Sequence, residues 1–332
     1  MVDEVVPFAL PMARRFRGTE VREGVLLRVG TTWGEWAPFP EYDDATAARW
    51  LRGALEAARD GWPRAHRTSV AVNAIVPALG PDEVARLVAD AVADDGCSVV
   101  KVKVAERGQD FTDDVARVAA VRSALDDAGA DEGVIRVDAN GAWTVDEAVE
   151  RLEVLDSIAG GLEYAEQPCA TLDELAAVRA RTGVRIAVDE GVRLAATHDD
   201  ELVRRVREAA DVLVLKATPL GGVEAALRVA EEIGLPVTVS GAMDSSVGLY
   251  AGLALAAALP AEPLACGFGT GRLLAADLTE ETTLPRDGRL SVVRRDPDPD
   301  ALRAAASRLP AERAVWWRER LDRCLAILGE DS

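Results

Sequence analysis

Short apolar runs recur at regular spacing along most of the chain, from about residue 69 onward. Each run has the length of a buried β-strand, and longer stretches with the 3.6-residue period of an amphipathic helix lie between them. The clearest helical stretches cover residues 82–95, 113–128 and 223–233. The candidate strands cover residues 69–76, 98–104, 134–140, 162–167, 185–190, 212–218, 236–241 and 264–269.

Strand-then-helix repetition predicts a parallel sheet, and eight such units fit a closed (β/α) barrel. Two helices are marked by capping boxes directly after a strand, one joining Thr144 to Glu147 and the other joining Thr171 to Glu174. The alternative is an open doubly wound sheet. That alternative is weakened because the first strand is not followed by the GxGxxG turn of dinucleotide-binding sheets.

The two ends of the chain follow a different pattern. Residues 21–29 predict an antiparallel strand and residues 44–60 a helix, so the N-terminal segment is an α+β unit outside the barrel. Residues 291–332 are polar and predicted to be helical, and they contain the pair Trp316 and Trp317. We expect this tail to pack on the N-terminal segment. The predicted domains are therefore a capping domain from residues 1–67 plus 291–332, and a barrel from residues 68–290.

Charge and cysteine usage exclude several classes of protein. The net charge is −19 and the isoelectric point about 4.6, which argues against a nucleic-acid-binding surface and against docking on anionic lipid. The four cysteines and two histidines show no ligand-like spacing, so we expect neither structural zinc nor a disulfide framework. The acidic N-terminus is unlike a signal peptide, and the apolar stretch 247–260 is too short to span a bilayer. We interpret that stretch as a buried helix and expect a cytoplasmic protein.

Lysine is almost absent from the chain. Of the 38 basic residues, 35 are arginines, and the lysines are Lys101, Lys103 and Lys216. Arginine carries a similar charge but does not give up its proton near neutral pH, whereas a desolvated lysine can. A bias in base composition explains the many arginines most simply. The lysines that persist against this background are candidates for proton transfer.

Charged side chains recur at the ends of the predicted strands, where packing would not require them. In a barrel, the carboxyl ends of the strands are where active sites are built. Side chains alternate along a strand, so Lys101 and Lys103 share one face, and Asp138 and Asn140 share another. The strand-end residues, from the second strand to the sixth, are Lys101, Lys103, Asp138, Glu166, Asp189 and Lys216.

Three carboxylates on neighbouring strand ends would repel one another. A divalent cation bound by Asp138, Glu166 and Asp189 would remove that conflict. An all-oxygen set of ligands without Cys or His favours Mg²⁺, with Mn²⁺ as the alternative. Each of these motifs is common by itself, and it is their joint order along the strands that is specific. Glu163 and Glu190 lie close in sequence, and Glu190 is a candidate partner of the metal ligands.

This constellation resembles the enolase superfamily, specifically its muconate-lactonizing subgroup. Within that subgroup the chain is most similar to the o-succinylbenzoate synthases of the actinobacterial type, and the resemblance covers the whole chain. The features behind this closer similarity are residues 7–12, the arginine-rich residues 14–18, residues 33–42 and Arg136. The resemblance implies an α/β fold, a (β/α)7β barrel of the enolase type with an α+β capping domain.

The resemblance also implies roles for individual residues. Lys103 is the base that removes a proton α to a carboxylate, beside Lys101, and the negative charge that develops is stabilised by Mg²⁺. Lys216, on the opposite face, stabilises that charge. The implied reaction is dehydration of a small-molecule carboxylate, 2-succinyl-6-hydroxy-2,4-cyclohexadiene-1-carboxylate, to o-succinylbenzoate, a step of menaquinone biosynthesis. The residues expected to bind substrate are Arg136, Asn140, Ser240, Gly241, Gly267 and Phe268.

Alternatives remain open at this point. An N-acylamino acid racemase or dipeptide epimerase of the same superfamily also needs a lysine on each face, so Lys103 and Lys216 do not separate it from a dehydratase. A metal-binding scaffold without catalysis is a more remote alternative, because it would need the carboxylates but not the lysines. Trp33, Trp36 and Phe39 could line the mouth of the pocket or simply pack within the capping domain.

Overall fold

The computed structural model describes residues 2–16, 18–59, 62–195 and 198–330. Arg17, part of the arginine-rich N-terminal motif, lies outside the described residues, as do Asp60 and the last two residues of the tail. The N-terminal segment contains β1 (Glu4–Phe16), β2 (Thr19–Val29), β3 (Thr32–Trp36) and α1 (Asp44–Arg59). The strands form an antiparallel sheet in the order β1-β2-β3, which confirms the α+β prediction for this segment.

The alternation of strands and helices then begins, as the apolar rhythm predicts. The elements are β4 (Ser69–Ala71), β5 (Ala74–Val76), α2 (Pro81–Ala93), β6 (Val99–Lys103), α3 (Phe111–Asp127), β7 (Val134–Asp138), α4 (Val145–Ala159), β8 (Leu162–Glu166), α5 (Leu172–Arg179), β9 (Ile186–Val188), α6 (Glu190–Arg193), α7 (Asp200–Ala209), β10 (Val212–Leu215), α8 (Val223–Ile233), β11 (Val237–Ser240), α9 (Leu249–Ala258) and β12 (Leu264–Gly267). After a 3₁₀ turn (Gly269–Leu273) follow β13 (Arg289–Ser291), α10 (Pro299–Arg308) and α11 (Ala311–Glu330). Both predicted capping boxes are present, at the starts of α4 and α5.

The eight parallel strands β5 to β12 stand side by side in chain order. The ring closes where Val72 forms a parallel bridge with Cys266 and the Asn73 N–H donates to the Cys266 carbonyl over 2.9 Å. The closed (β/α) barrel is therefore confirmed and the open sheet was the wrong alternative. The first predicted strand is divided in two, because β4 pairs antiparallel with β13 whereas β5 pairs with β6.

Most of the predicted strands were too long at their carboxyl ends, and three of them ran past residues of the candidate site. Residue 140 was included in a strand, but Asn140 has a φ of 47° and leaves the extended conformation. The predicted fifth strand included Asp189 and Glu190, and the structure ends β9 at Val188 and begins α6 at Glu190. The sixth ends at Leu215, just before Lys216. Polar side chains at these points bond to one another rather than continue the sheet, so the apolar pattern alone could not locate the ends.

Apolar side chains pack on both faces of the barrel sheet. Outside, the strands pack against the surrounding helices in one large core, and α9 is buried along nearly its whole length, as predicted for residues 247–260. Inside, an apolar plug closes the amino-terminal end of the barrel. It is formed by Tyr164, Ala187, Val212, Val214 and Leu264. No helix in the described ranges combines the length and the apolarity needed to cross a membrane.

The C-terminal helices pack on the N-terminal segment, as expected from the sequence. The Trp317 ring lies edge-on to Trp36, with 5.4 Å between centroids, and Trp317 Nε1 donates to Glu23 over 2.9 Å. Helical structure in the tail begins only at Pro299, so the expectation of helix from residue 291 was wrong for its first residues. Strand β13, which pairs with β4 of the barrel segment, crosses the proposed boundary at 290/291, and the division at residues 67/68 and 290/291 stays a prediction.

Candidate active site

The strand-end lysines and carboxylates lie together at the carboxyl end of the barrel. The register places Lys103 beside Asp138, and Asp138 beside Glu166, on adjacent strands. Lys101 lies two residues before Lys103 on β6, on the same face of the strand. Asp189 and Lys216 directly follow β9 and β10. All six are at least nine-tenths buried. Their charges therefore interact in a poorly solvated space, where each must find a partner.

Lys101 and Lys103 pair with the first two carboxylates. Lys101 Nζ lies 2.7 Å from Glu166 Oε2 and 3.3 Å from Asp138 Oδ2, so it bridges both. Burial disfavours the Lys101 ammonium, but Glu166 and Asp138 outweigh that effect and raise the pKa of Lys101. Lys103 Nζ contacts one carboxylate, with 2.7 Å to Asp138 Oδ2, and donates to the neutral side-chain oxygen of Asn140. Two carboxylates thus hold Lys101 in its charged form.

Asp189 is held from two sides. Lys216 Nζ lies 2.5 Å from Asp189 Oδ2, and Arg193 Nε donates to Asp189 Oδ1 over 2.9 Å. Burial alone would raise the pKa of Asp189, but Lys216 and Arg193 outweigh it and bring the pKa to about 2. Arg193 also bonds Glu190 over 2.6 Å and the Tyr42 hydroxyl of the capping domain over 3.1 Å. Arg193 therefore links Glu190 to the predicted metal ligand Asp189.

Of the three carboxylates, Glu166 has the fewest positively charged partners to offset its burial. Burial and the neighbouring Asp138 raise the pKa of Glu166 to about 7, against the opposing effect of Lys101. Its second oxygen, Oε1, is buried and has no hydrogen-bond partner among the described residues. Burying an ionised carboxylate oxygen without a partner costs free energy. A bound cation would be the missing partner and would remove that cost.

The predicted metal ligands fit a divalent cation in chemistry and in place. Asp138, Glu166 and Asp189 offer only oxygen donors, on neighbouring strand ends, and Glu166 Oε1 is available. Their present side-chain positions are set by the lysines, and no group of three or more acidic, His or Cys side chains in the described ranges converges on one point. Binding a cation would therefore require these carboxylates to exchange part of their lysine contacts for metal contacts.

Arg136, predicted to bind substrate, lies below the carboxylates inside the barrel. It is fully buried, and its guanidinium bonds Glu163 over 2.6 Å, Asn73 over 3.0 Å and the Ala265 carbonyl over 2.6 Å. An irregularity in the β7–β8 register sets Arg136 against this part of β8. Its Nε and Nη1 therefore donate to groups of the barrel wall, and a role for Arg136 in binding substrate stays a prediction.

The remaining predicted substrate ligands lie at the ends of β11 and β12. Ser240 stands opposite Gly267, and the Gly241 N–H donates to the Gly267 carbonyl over 3.1 Å. Phe268 differs from them, since its ring points outward against Gly252 of α9 and its N–H donates to the Cys266 carbonyl over 2.9 Å. Ser240, Gly241 and Gly267 therefore border the barrel mouth, whereas Phe268 belongs to the outer core.

The capping domain covers this end of the barrel. The Phe16 ring, near the tip of the β1–β2 hairpin, lies 5.9 Å from Lys103 Nζ. Trp36 and Phe39 are buried in the apolar core of the capping domain, so for these two the packing alternative is the one the structure shows. Trp33 packs at the edge of that domain, where its carbonyl accepts from Arg294 over 2.7 Å.

A buried polar cluster between the two domains escaped the sequence analysis. Arg22 of β2 donates to the carbonyls of Met243 over 3.2 Å and Ala242 over 3.3 Å, in the loop that follows β11. Glu35 of β3 accepts hydrogen bonds from the backbone and hydroxyl of Ser245 in that loop. Glu35 stood within a quoted motif, but nothing in the sequence identified its partner more than 200 residues away.

Stability should respond to pH through Glu35. Burial and the neighbouring Asp244 raise the pKa of Glu35 from 4.5 to about 7, despite Ser245 and Arg22. The unfolded chain then releases this proton at lower pH than the folded one, so the contribution of Glu35 to stability falls as pH rises from about 4.5 to 7. Glu35→Gln cannot ionise, so its Tm relative to wild type should rise by a few degrees over that window.

Thermal unfolding of both proteins between pH 4.5 and 8.5 would measure this difference. Glu312→Gln, on the exposed face of α11, is the matched control and should track wild type at every pH. A Glu35→Gln Tm difference that is the same at pH 5 and pH 8 would contradict the prediction.

Comparison with known proteins agrees with this geometry. Residues 7–58 match the family model described as enolase N-terminal domain-like, and residues 83–298 match the one described as enolase C-terminal domain-like. The L-Ala-D/L-Glu epimerase of Bacillus subtilis has a similar structure, with a TM-score of 0.74 and 21% identity, covering 89% of this chain and 96% of that chain. The fold and the site together define a protein of the enolase superfamily, whose members use a divalent metal ion.

Two curated relatives are much more similar in sequence. The o-succinylbenzoate synthase of Thermobifida fusca is 54% identical and is aligned over 93% of this chain and 96% of the relative. The o-succinylbenzoate synthase of Mycolicibacterium smegmatis is 48% identical, over 96% of this chain and 94% of the relative. The chain belongs to the o-succinylbenzoate synthase family.

Proposed function

We propose that this chain is a hydro-lyase that converts 2-succinyl-6-hydroxy-2,4-cyclohexadiene-1-carboxylate to o-succinylbenzoate by syn-dehydration, a step of menaquinone biosynthesis. The observation that carries the proposal is 48–54% identity, over nearly the whole chain, to two o-succinylbenzoate synthases. The barrel supports it with a lysine on each side of the site, since β6 and β10 are four strands apart in a ring of eight.

Lys103 serves as the base in this proposal. Its Nζ lies at the carboxyl end of the barrel, next to the carboxylate of Asp138 and the neutral amide oxygen of Asn140. The neutral amine takes the proton from the carbon α to the substrate carboxylate, and the electron pair of that C–H bond moves into the enediolate. The C–O bond to the β-hydroxyl then breaks, the ammonium returns the proton to the departing oxygen, and water leaves as the ring becomes aromatic.

Asp138, Glu166 and Asp189 would hold Mg²⁺ in this proposal. The bound ion would supply positive charge against the negative charge that develops on the substrate carboxylate. Among the described residues, the buried Glu166 Oε1 without a hydrogen-bond partner supports this assignment most directly. Lys101, which bridges Glu166 and Asp138, keeps those two carboxylates close together despite their like charge.

Lys216 distinguishes dehydration from racemisation. In a one-base elimination Lys103 handles both proton transfers, and Lys216 acts through its charge from the opposite side of the ring. In a two-base racemase Lys216 must itself exchange a proton with the substrate carbon. The lysines on both sides keep an N-acylamino acid racemase or dipeptide epimerase as a second candidate function.

Lys216→Arg should retain part of the dehydratase activity. Arginine preserves the positive charge beside Asp189 but does not act as a proton acceptor near neutral pH. We expect dehydration slowed by about 10- to 100-fold and no racemisation of N-succinyl amino acids. Product absorbance measures the first activity, and chiral analysis in D₂O measures the second. A crystal structure of the variant would show whether the larger guanidinium displaces Asp189.

The proposed function is tested by comparing two reactions of the wild-type protein. One assay follows the loss of diene absorbance with the cyclohexadiene substrate, and the other follows racemisation of N-succinyl amino acids. We expect kcat/KM for dehydration to be the larger of the two. Racemisation that is far faster than dehydration would overturn the assignment in favour of the second candidate.

A further inference from the structure

The side-chain amide of Asn140 can face only one way. Asn140 Nδ2 donates to Glu190 Oε1 over 3.2 Å, and the same Glu190 oxygen accepts from Arg193 over 2.6 Å. That oxygen is an acceptor, because the Arg193 guanidinium can only donate to it, so the amide nitrogen must be the end of Asn140 that faces Glu190. The carbonyl oxygen Oδ1 is thereby turned toward Lys103 Nζ, from which it accepts a hydrogen bond.

The backbone of Asn140 is fixed as well. Its φ of 47° lies in the left-handed region, which asparagine tolerates better than most residues. Its N–H donates to Asp138 Oδ1 over 3.1 Å, a local bond that holds the turn just after β7. Asp138 and Glu190 thus fix Asn140 at its backbone and at its side-chain nitrogen, leaving its oxygen to Lys103.

This arrangement determines which way Lys103 can exchange a proton. Lys103 Nζ has two acceptors, Asp138 Oδ2 at 2.7 Å and Asn140 Oδ1. Cation binding can displace the Asp138 contact, whereas the Asn140 contact does not involve a predicted metal ligand. An N–H bond directed at Asn140 Oδ1 keeps the lone pair of the neutral amine turned away from Asn140. Without Asn140, the amine could rotate about the bond to its last carbon and point the lone pair elsewhere.

We propose that Asn140 is a positioning residue, oriented by Glu190, whose side-chain oxygen fixes the direction in which Lys103 takes and returns the proton. This role differs from the sequence-based expectation that Asn140 binds substrate. The inference rests on the proposed function, because it takes Lys103 as the base. It predicts that Asn140 contributes to the rate of the chemical step and hardly at all to substrate affinity.

Asn140→Gly is the variant that tests this role, because glycine accepts the positive φ without strain. A misdirected base slows proton transfer, so kcat should fall by about 10- to 100-fold while KM stays within about threefold of wild type. A tenfold or larger rise in KM with kcat near wild type would overturn the inference and restore Asn140 as a substrate ligand. A kcat equal to that of wild type would overturn it as well.

Glu190→Gln tests the orienting contact without touching Lys103 or Asn140 itself. Glutamine can face Asn140 with either end of its amide, so the fixed orientation is lost and kcat should fall by roughly 3- to 30-fold. The double variant Asn140→Gly with Glu190→Gln should be no slower than Asn140→Gly alone, because Glu190 reaches Lys103 through Asn140. Fully additive losses would contradict that path.

Tyr42→Phe is the matched control, since it removes another hydrogen bond of Arg193 and leaves Glu190 and Asn140 intact. We expect its kcat to stay within about twofold of wild type. Failure of the proposed function would be recognised separately, as wild-type protein that does not dehydrate the cyclohexadiene substrate or a Lys103→Arg variant that still does. Active wild type with an unaffected Asn140→Gly variant would refute this inference alone.

Discussion

Replacing Lys103 with arginine should abolish product formation. Arginine can keep the ion pair with Asp138 but does not give up its proton near neutral pH, so it cannot take one from the substrate. Because the proposed mechanism uses Lys103 twice, first as base and then as acid, we expect kcat to fall by at least about 10³-fold. Absorbance of the aromatic product measures turnover, and isothermal titration with substrate shows whether binding survives.

Lys101→Arg is the matched control for the assignment. Lys101 bridges Glu166 and Asp138 and is held in its charged form, so arginine preserves more of its role than it does at Lys103. We expect Lys101→Arg to retain measurable turnover. Should Lys103→Arg remain close to wild type while Lys101→Arg is inactive, the base has been assigned to the wrong lysine.

Removal of divalent cations should also abolish turnover. Treatment with EDTA is expected to reduce activity to background, and Mg²⁺ to restore it. The reaction needs positive charge beside the substrate carboxylate, and Asp138, Glu166 and Asp189 would provide it only by holding a cation. Full activity after rigorous chelation would rule out the proposed metal site. Mn²⁺ offers a second readout, since its binding can be followed by electron paramagnetic resonance without any turnover.

Glu166→Gln is the most informative variant of that site. Burial and Asp138 raise the pKa of its carboxyl to about 7, and Lys101 keeps Asp138 as a partner at 3.3 Å when the Glu166 charge is removed, so the fold should tolerate a neutral amide here. We expect Mn²⁺ affinity to fall by roughly 100-fold or more, with Tm in EDTA within a few degrees of wild type. Unchanged Mn²⁺ affinity would remove Glu166 from the set of ligands.

Asp189→Asn is a poorer test of the same site. The structure shows Asp189 paired with both Lys216 and Arg193, so removing its charge leaves two buried cations less compensated. Such a change commonly costs about 3–5 kcal/mol. Loss of metal binding in this variant could therefore not be separated from loss of structure.

The barrel could be predicted from the sequence because the signals that mark its strands and helices lie within short segments. A buried strand needs a short apolar run, and a helix start needs a capping side chain such as Thr144 or Thr171, and both are visible within a few residues. Strand ends were predicted less well, because at Asn140, Asp189 and Lys216 the chain leaves the sheet and makes contacts with residues distant in sequence.

The chemistry of the site was also visible in the sequence, but its contacts were not. Lysines and carboxylates stand out against apolar strands, and a barrel brings all strand ends to one edge, so the residue types and their common location follow from the chain. Arg136 shows the limit of that reasoning. The sequence placed it two residues before Asp138, a predicted metal ligand, on the same face, yet its depth in the barrel directs it to Asn73 and Glu163.

The sequence by itself determined the fold class, the family and the residues that can carry charge or a proton in the barrel, because periodicity and residue chemistry are properties of short segments. Only the tertiary structure decided which of those residues touch. The contacts of Lys103 with Asn140, of Asn140 with Glu190 and of Glu35 with Ser245 join residues 37, 50 and 210 positions apart. Hydrogen bonds act over about 3 Å, so partners this distant in sequence are set by strand register and by the seating of the capping domain on the barrel.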